Sequence, residues 1–293
     1  MNIGIVGLGL LGLNISIRLL NTKKYKINVF NRTKSKIKSL ASYKIKSYDS
    51  PKDLANNSDF IIICVTDFDA LKDVCFDKNG IISTNNANLI IGDFSTITPN
   101  QSRFCAKKFQ NKQISMLNIP VMGGPKAALS GDLIPIISGN KNSFLKIKPV
   151  LKHIGKSIFY VGNNIGDANA IKLALNLNIG LIASGLSEGI ILSQSYNIDP
   201  SLYLKILNST YFKTGMSENK GPKMIKDDFS PSFYLKNMFK DLDLAMNAAK
   251  ESNISLPVTT QVRQLYQFAV KQNMSDLDYT GILKLIQYLN GLK

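Results

Sequence analysis

The chain of 293 residues has a formal net charge of +16, with 44% hydrophobic and 19% charged residues. This length suits two domains, and the composition is that of a globular protein, which excludes a fibrous class and disorder along the whole chain. The basic residues are scattered lysines without a basic tail or an aromatic–basic repeat, so we expect no nucleic-acid partner.

Short β-branched runs alternate with helical patterns in the first part of the chain. The runs lie at 3–6, 27–30, 60–65, 89–91, 114–118, 134–137 and 158–161. Such alternation is typical of a parallel sheet with helices on both faces. We therefore predict an α/β fold that begins with a Rossmann-type, doubly wound domain over residues 1–162.

The pattern changes beyond the turn-rich segment 162–166. Helical apolar spacing follows at 168–195, 200–207, 235–251 and 257–273, and we find no convincing strand. The sequence thus predicts an all-helical C-terminal domain over residues 163–293, with the polar stretch 208–232 as a candidate cover for a cleft.

The most apolar stretch, 173–193, is long enough to raise a transmembrane interpretation. It contains Asn176, Asn178 and Glu188, which are expensive to place in hydrocarbon. A buried helix of a soluble protein is therefore favoured, and we expect no membrane partner. Its apolar surface also exceeds the need of one small domain, so a homodimer or homotetramer formed through residues 173–192 is a hypothesis.

A glycine-rich turn follows the first strand at once and opens a helical pattern: Gly7, Leu8, Gly9, Leu10, Leu11 and Gly12. In a GxGxxG turn the first glycine permits the tight bend, the second lets backbone approach a pyrophosphate, and the third allows close helix packing. The helix N-terminus then offers N–H donors to the phosphates. The alternative is a glycine turn without a ligand, but the strand–turn–helix context favours a dinucleotide cofactor.

The second strand ends in Asn31, Arg32 and Thr33, where an NAD-specific site usually has an acidic residue for the ribose hydroxyls. A guanidinium and neutral hydrogen-bonding groups suit a 2′-phosphate instead. These three residues therefore predict NADP(H) as the cofactor; the alternative is that Arg32 is a solvated surface residue.

Four further segments occur in chain order: 64–67 together with 93–99, then 118–124, 166–176 and 239–245. With the glycine turn they resemble the β-hydroxyacid dehydrogenase family over nearly the whole chain. The resemblance implies an enzyme that interconverts a small β-hydroxyacid and its semialdehyde or oxo acid, of the 3-hydroxyisobutyrate, glyoxylate or succinic semialdehyde type.

The resemblance also implies cofactor contacts on the nicotinamide side. They are Val65 and Thr66 in the first segment, Thr96 after the next strand, and Lys240 in the last segment, with Asp241 beside it. By chemistry alone, a threonine after a buried strand is more often a helix cap. The alternative interpretation of Lys240 and Asp241 is an exposed ion pair on an amphipathic helix, without a role at the cofactor.

The segment Asn118-Ile119-Pro120-Val121-Met122-Gly123-Gly124 resembles the family's substrate-binding D-A-P-V-S-G-G. Two adjacent glycines let backbone N–H groups converge on a carboxylate, so the resemblance implies that Met122, Gly123 and Gly124 contact the substrate. Met122 stands where the family has serine, and Asn118 where it has an acid. The lost hydroxyl favours a larger or less polar acid. Lys126 either pairs with a second anionic group or is solvated.

Lys172 and Asn176 match the family's K-x-x-x-N, and their spacing puts both on one helix face. Hydride transfer to a carbonyl carbon must be matched by a proton on the oxygen, which a lysine ammonium can donate and its amine can take back. We predict Lys172 as the catalytic acid and base, and Asn176 as the residue that orients it and binds the substrate. The alternative for Lys172 is a structural salt bridge.

The remaining chemistry-bearing residues suggest neither a metal nor a disulfide framework. There are three cysteines and one histidine, His153, which lies near a predicted helix end and is assigned no chemistry. We expect no bound metal. A reducing, cytoplasmic location fits the cysteines and an N-terminus without signal-peptide features.

Three other functions compete with this interpretation. An imine reductase shares the architecture but typically replaces the lysine, so Lys172 counts against it. A phosphogluconate-type dehydrogenase should have a longer C-terminal domain and phosphate-binding residues, and we cannot place such residues in this sequence. A non-catalytic, cofactor-sensing nucleic-acid binder would use the net charge of +16, but the presence of Lys172 and Asn176 argues against it.

Overall fold

The computed structural model describes residues 1–292, which form two compact units. The first is Met1–Lys172, and the second begins at Leu173. The first unit is built on a nine-stranded sheet. Its strands are β1 Asn2–Val6, β2 Lys26–Phe30, β3 Ile45–Ser47, β4 Phe60–Ile63, β5 Ile90–Asp93, β6 Ser115–Asn118, β7 Val121–Met122, β8 Ile134–Ser138 and β9 Phe159–Gly162.

The strands are arranged in the order β3-β2-β1-β4-β5-β6-β8-β7, and β9 pairs with β8. Strands β1 to β6 pair in parallel, whereas β8 is antiparallel to β6 and β7. The order of the six parallel strands is that of the doubly wound dinucleotide-binding fold, in which ligands bind at the carboxyl ends of the strands.

Helices of the first unit are α1 Leu10–Asn21, α2 Pro51–Asn56, α3 Phe68–Phe76, α4 Pro99–Gln110, α5 Pro125–Ser130 and α6 Lys141–Ile154. Two apolar clusters flank the sheet, and strand β4 supplies both because its side chains alternate in direction. Phe60 and Ile62 belong to one cluster, and Ile61 and Ile63 to the other. A strand covered on both faces is apolar throughout, which explains the unbroken hydrophobic run.

The second unit is helical in the part of the chain that the structure describes. Its helices are α7 Asp167–Ser195, which starts in the first unit, α8 Pro200–Leu207, α9 Gly215–Asn219, α10 Gly221–Met224, α11 Leu235–Glu251, α12 Pro257–Lys271 and α13 Ile282–Leu289. They enclose one apolar cluster, with Tyr266 as its largest fully buried side chain. The predicted order of an α/β Rossmann-type domain and a helical domain is therefore confirmed.

Several local predictions need correction. Strands β3 and β7 and helix α13 were not predicted, and α12 ends at Lys271 rather than at 273. The polar stretch 208–232 includes α9 and α10. It is tied to the core of its unit because Lys220 Nζ lies 2.8 Å from Asp278 Oδ2, which also accepts hydrogen bonds from the Ser232 backbone and side chain.

Helix α7 begins within the hydrogen-bond network of the first unit. The Ala168 N–H donates to Ser138 Oγ over 3.2 Å, and Asn169 Nδ2 donates to Ser102 Oγ over 2.7 Å. These bonds tie the start of α7 to the first compact unit, which includes residues up to Lys172.

Among residues 1–292, α7 is also the one helix long and apolar enough to cross a membrane by length and composition. The core helix of a soluble protein meets the same criterion. Ala183, Leu186 and Ile190 of this helix are buried in the apolar cluster of the second unit, as a core helix requires.

Candidate functional site

The glycine turn between β1 and α1 has the geometry of a pyrophosphate-binding loop. Gly7 has a φ of +94°, and a Cβ added there would collide with the Cys64 carbonyl oxygen; one added to Gly12 would collide with the Gly7 carbonyl oxygen. Gly9, the N-cap of α1, would meet no protein atom within 4 Å. Gly7 and Gly12 thus allow close packing, while Gly9 leaves the helix N-terminus open to a phosphate. The turn fits a dinucleotide.

Asn31 shapes this turn from the end of β2. Its Oδ1 accepts a hydrogen bond of 2.8 Å from the Leu8 N–H, and its Nδ2 donates over 2.8 Å to the Thr33 carbonyl. The side chain therefore links the glycine turn to the β2 end through the backbone. Arg32 and Thr33 are both exposed, and no carboxylate follows β2 at these positions.

The ends of β4 and β5 are joined by polar contacts. The Val65 N–H donates to Ser95 Oγ over 3.3 Å, and the Ser95 N–H donates to Asp93 Oδ1 over 2.9 Å. Asp93 is fully buried, and this burial raises its pKa to about 7, although hydrogen bonds from Ser95 act in the opposite direction. Asp93 and Ser95 were not predicted as site residues; the signal was an acid at the end of an apolar strand.

The residue that caps the next helix is Thr98. Its Oγ1 accepts from the Gln101 N–H, and the Gln101 side chain accepts from the Thr98 N–H, which completes a capping box for α4. Thr96 therefore does not have the cap role that the chemistry of a post-strand threonine suggested. It lies beside Ser95 at the carboxyl edge of the sheet.

Met122 and Lys172 come together in the first unit. Met122 ends β7 and pairs with Ile134 of β8; Gly123 then has a φ of +112°, and Gly124 is the N-cap of α5. Lys172 Nζ lies 3.3 Å from Met122 Sδ. The predicted proton-transfer lysine is thus held at the predicted substrate-binding segment.

Asn118, at the position of the family's acid, is buried at the end of β6. Its Oδ1 accepts a 2.8 Å hydrogen bond from the Gly166 N–H, just before α7 begins. The amide thereby holds the start of the helix that bears Lys172. Lys126, in contrast, is exposed on α5.

The second unit contains the other predicted polar residues. Asn176 Nδ2 donates to Asp241 Oδ2 over 2.6 Å, and Lys240 Nζ lies 2.8 Å from Asp241 Oδ1. Asp241 therefore connects Asn176 of α7 with Lys240 of α11 and fixes the direction of the Asn176 amide. Its side chain is only 3% exposed, so the pair is not the exposed pair of the alternative interpretation.

The described residues contain no group of three or more histidine, cysteine or acidic side chains that could hold a metal ion. His153 lies in the last turn of α6, as predicted. Burial, together with Lys24 and Arg18, lowers its pKa.

Two family models match the chain. One, the NAD binding domain of 6-phosphogluconate dehydrogenase, matches residues 2–162, and the other, NAD-binding of NADP-dependent 3-hydroxyisobutyrate dehydrogenase, matches residues 166–286. Glyoxylate/succinic semialdehyde reductase 2, chloroplastic, of Arabidopsis thaliana is 30% identical over 287 residues, which cover 98% of this chain and 80% of the relative.

Solved structures share the fold. The 3-hydroxyisobutyrate dehydrogenase of Salmonella typhimurium has a TM-score of 0.86 at 21% identity, over 97% of this chain and 99% of that one. Psf3 in complex with NADP+ and 2-OPP has a TM-score of 0.89 at 22% identity, with the same coverage.

Together, the nucleotide-binding turn and these matches define an oxidoreductase that acts on CH–OH donors with a nicotinamide cofactor. The turn geometry at Gly7, Gly9 and Gly12 is consistent with that class. The chain belongs to the β-hydroxyacid dehydrogenase family, and its activity is that of a β-hydroxyacid or semialdehyde dehydrogenase.

Proposed function

We propose that the protein is an NADP(H)-dependent dehydrogenase that interconverts a small β-hydroxyacid and its semialdehyde or oxo acid, with Lys172 as the acid and base. The observation that carries this proposal is the 3.3 Å approach of Lys172 Nζ to Met122, next to the glycine pair. A carboxylate bound by the Gly123–Gly124 backbone would leave the neighbouring carbonyl within reach of the amine.

The choice of NADP(H) rests on the end of β2. Arg32 is exposed there, and the neutral amide of Asn31 accepts a hydrogen bond from the Leu8 N–H of the glycine turn. A carboxylate in that position would repel a 2′-phosphate, whereas a guanidinium attracts it. Thr33 adds a hydroxyl that can bind the same group.

Each polar residue has one task in the proposed reaction. When bound, the nicotinamide supplies or takes up the hydride. The Lys172 ammonium donates a proton to the carbonyl oxygen during reduction, and the neutral amine takes it back during oxidation. Asn176, one helical turn after Lys172 on α7, orients the Lys172 amine; its own amide direction is fixed by Asp241, whose charge Lys240 balances.

A screen of NADPH oxidation tests the proposal. The substrates are glyoxylate, succinic semialdehyde, methylmalonate semialdehyde and tartronate semialdehyde, each with the wild type and Lys172→Ala. Loss of general acid–base catalysis should lower kcat by about 100-fold or more. The control is Lys107→Ala, which removes an exposed lysine of α4. Equal activity of the wild type and Lys172→Ala would overturn the mechanism.

A cyclic imine and duplex DNA, tested beside these substrates, separate the rival functions. An imine reductase would reduce a cyclic imine faster than any of these acids and would tolerate the Lys172 variant. A cofactor-sensing nucleic-acid binder would turn over no substrate and would bind duplex DNA with strong salt dependence.

Self-association is a separate proposal. Exposed apolar side chains continue along α7 and α8, among them Ile182 (39% exposed), Leu192 (63% exposed), Leu202 and Ile206. Burying them between copies of the chain would give a homodimer, or a tetramer built from two dimers. Light scattering should therefore give at least a dimer mass, reduced in a Leu192→Glu variant. A monomer mass at every concentration would refute it.

A further inference from the structure

The side chain beside the proposed proton-transfer amine is a thioether. Met122 Sδ is 3.3 Å from Lys172 Nζ. A thioether accepts hydrogen bonds weakly and donates none, so this wall of the site offers an apolar, polarisable surface.

The backbone on either side of Met122 fixes the position of this side chain. Met122 is held in the β7–β8 pair opposite Ile134, and Val121 lies opposite Pro135. The chain then turns at Gly123, whose φ is +112°, into the N-cap Gly124. Met122 is therefore anchored on its N-terminal side by β7 and on its C-terminal side by the glycine pair.

The position of Met122 specifies which substrate atom it meets. In a 3-oxo acid, carbon 2 joins the carboxylate carbon to the carbonyl carbon. A carboxylate bound at Gly123 and Gly124 and a carbonyl oxygen bound at Lys172 would place carbon 2 between these two groups. Met122 precedes Gly123 in the chain and contacts the Lys172 amine, so the substituent on carbon 2 would face the thioether.

We infer that Met122 selects 3-oxo acids with a hydrogen or an alkyl group on carbon 2 over those with a hydroxyl there. This inference rests on the proposed function. A hydroxyl that loses water against the Met122 thioether finds no hydrogen-bond donor in that side chain and only a weak acceptor, and the nearby Lys172 amine is already engaged with the carbonyl oxygen in the proposed reaction. An alkyl group in the same place is removed from water without any polar cost.

Two aldehydes that differ only at carbon 2 test the inference: 2-methyl-3-oxopropanoate and 2-hydroxy-3-oxopropanoate. The measured quantity is the ratio of their kcat/KM values with NADPH. An unpaired buried hydroxyl costs roughly one to two powers of ten in binding. The wild type should therefore prefer the methyl compound about tenfold or more.

Two variants of residue 122 give the decisive comparison. Met122→Ser supplies a donor and an acceptor, so the ratio should fall about tenfold or reverse, whereas Met122→Leu keeps an apolar wall and should keep the preference. An unchanged ratio in Met122→Ser, or a wild-type preference for the hydroxyl compound, overturns the inference alone. Turnover of neither aldehyde by the wild type, with no acid reduced in the screen above, overturns the proposed function and this inference with it.

Should Met122→Ser fold poorly, Met122→Thr is the second polar variant, and its ratio is judged by the same criterion. Thermal unfolding of all variants identifies loss of fold. Because the ratio compares two substrates on one protein sample, a lower active fraction does not alter it.

Discussion

The contact between Asp241 and Asn176 gives the most exacting test of the polar network in the second unit. Asp241→Asn keeps the shape of the side chain but removes its charge. A hydrogen bond to a charged group contributes about 1.5–3 kcal/mol, and a neutral one about 0.5–1.5 kcal/mol. The 2.6 Å bond from Asn176 should thus lose about 1–1.5 kcal/mol, and Lys240 loses its opposite charge at 2.8 Å.

Because Lys240 is partly exposed, water compensates for much of its loss. We therefore expect a total destabilisation of about 2 kcal/mol in urea unfolding. Because Asp241 fixes the direction of the Asn176 amide, kcat/KM should fall roughly 10- to 30-fold, mainly through kcat, since about 1.4 kcal/mol corresponds to tenfold.

Asp243→Asn is the matched control on the same helix. Asp243 pairs with Arg263 at 2.6 Å, but its side chain is 42% exposed, so its loss should cost about 1 kcal/mol or less and leave kcat unchanged. The same fall in kcat for both variants would show that Asp241 acts only through stability. Full activity of Asp241→Asn would refute the positioning role.

Three further predictions concern the cofactor, the core and pH. Arg32→Ala should raise KM for NADPH about tenfold and leave KM for NADH unchanged, because only the 2′-phosphate needs the guanidinium; an equal rise for both would reject the NADP(H) assignment. Tyr266→Phe should cost about 1 kcal/mol in urea unfolding, since the buried hydroxyl donates to the Tyr279 carbonyl over 3.0 Å; no change would show that this bond contributes nothing. Asp93 has a pKa of about 7 in the folded chain, against about 4 in the unfolded chain. Between these pH values the folded state keeps a proton that the unfolded state has released, so the free energy of unfolding should fall as pH rises from about 4 to about 7. Asp93→Asn should remove this slope in unfolding free energy, and an unchanged slope would contradict the assignment.

The parts of the fold that the sequence predicted are those with local signals. Strand β1, the glycine turn and α1 are consecutive, so their periodicity and glycine spacing are visible within 20 residues or so. The match of Lys172 and Asn176 to a motif on one helix is also local. Strands β3 and β7 have three and two residues, too few for an alternating pattern to appear.

The parts that could not be predicted depend on residues far apart in the chain. Asn118 and Gly166 are separated by 48 positions, and Asn176 and Asp241 by 65. Nothing in either residue's neighbourhood indicates its partner. Asn118 therefore appeared only as a departure from the family's acid, and Asp241 only as a companion of Lys240.

Helix α7 has a practical consequence for recombining members of this family. A crossover placed directly after Gly162, where β9 ends, would give the start of the new helix a foreign set of acceptors in place of Ser102, Asn118 and Ser138. A crossover after Lys172 preserves those bonds, yet takes the proposed proton donor from one parent and Asn176 from the other. Chimaeras of these enzymes should therefore be joined beyond Asn176, with its partner Asp241 matched in the same step.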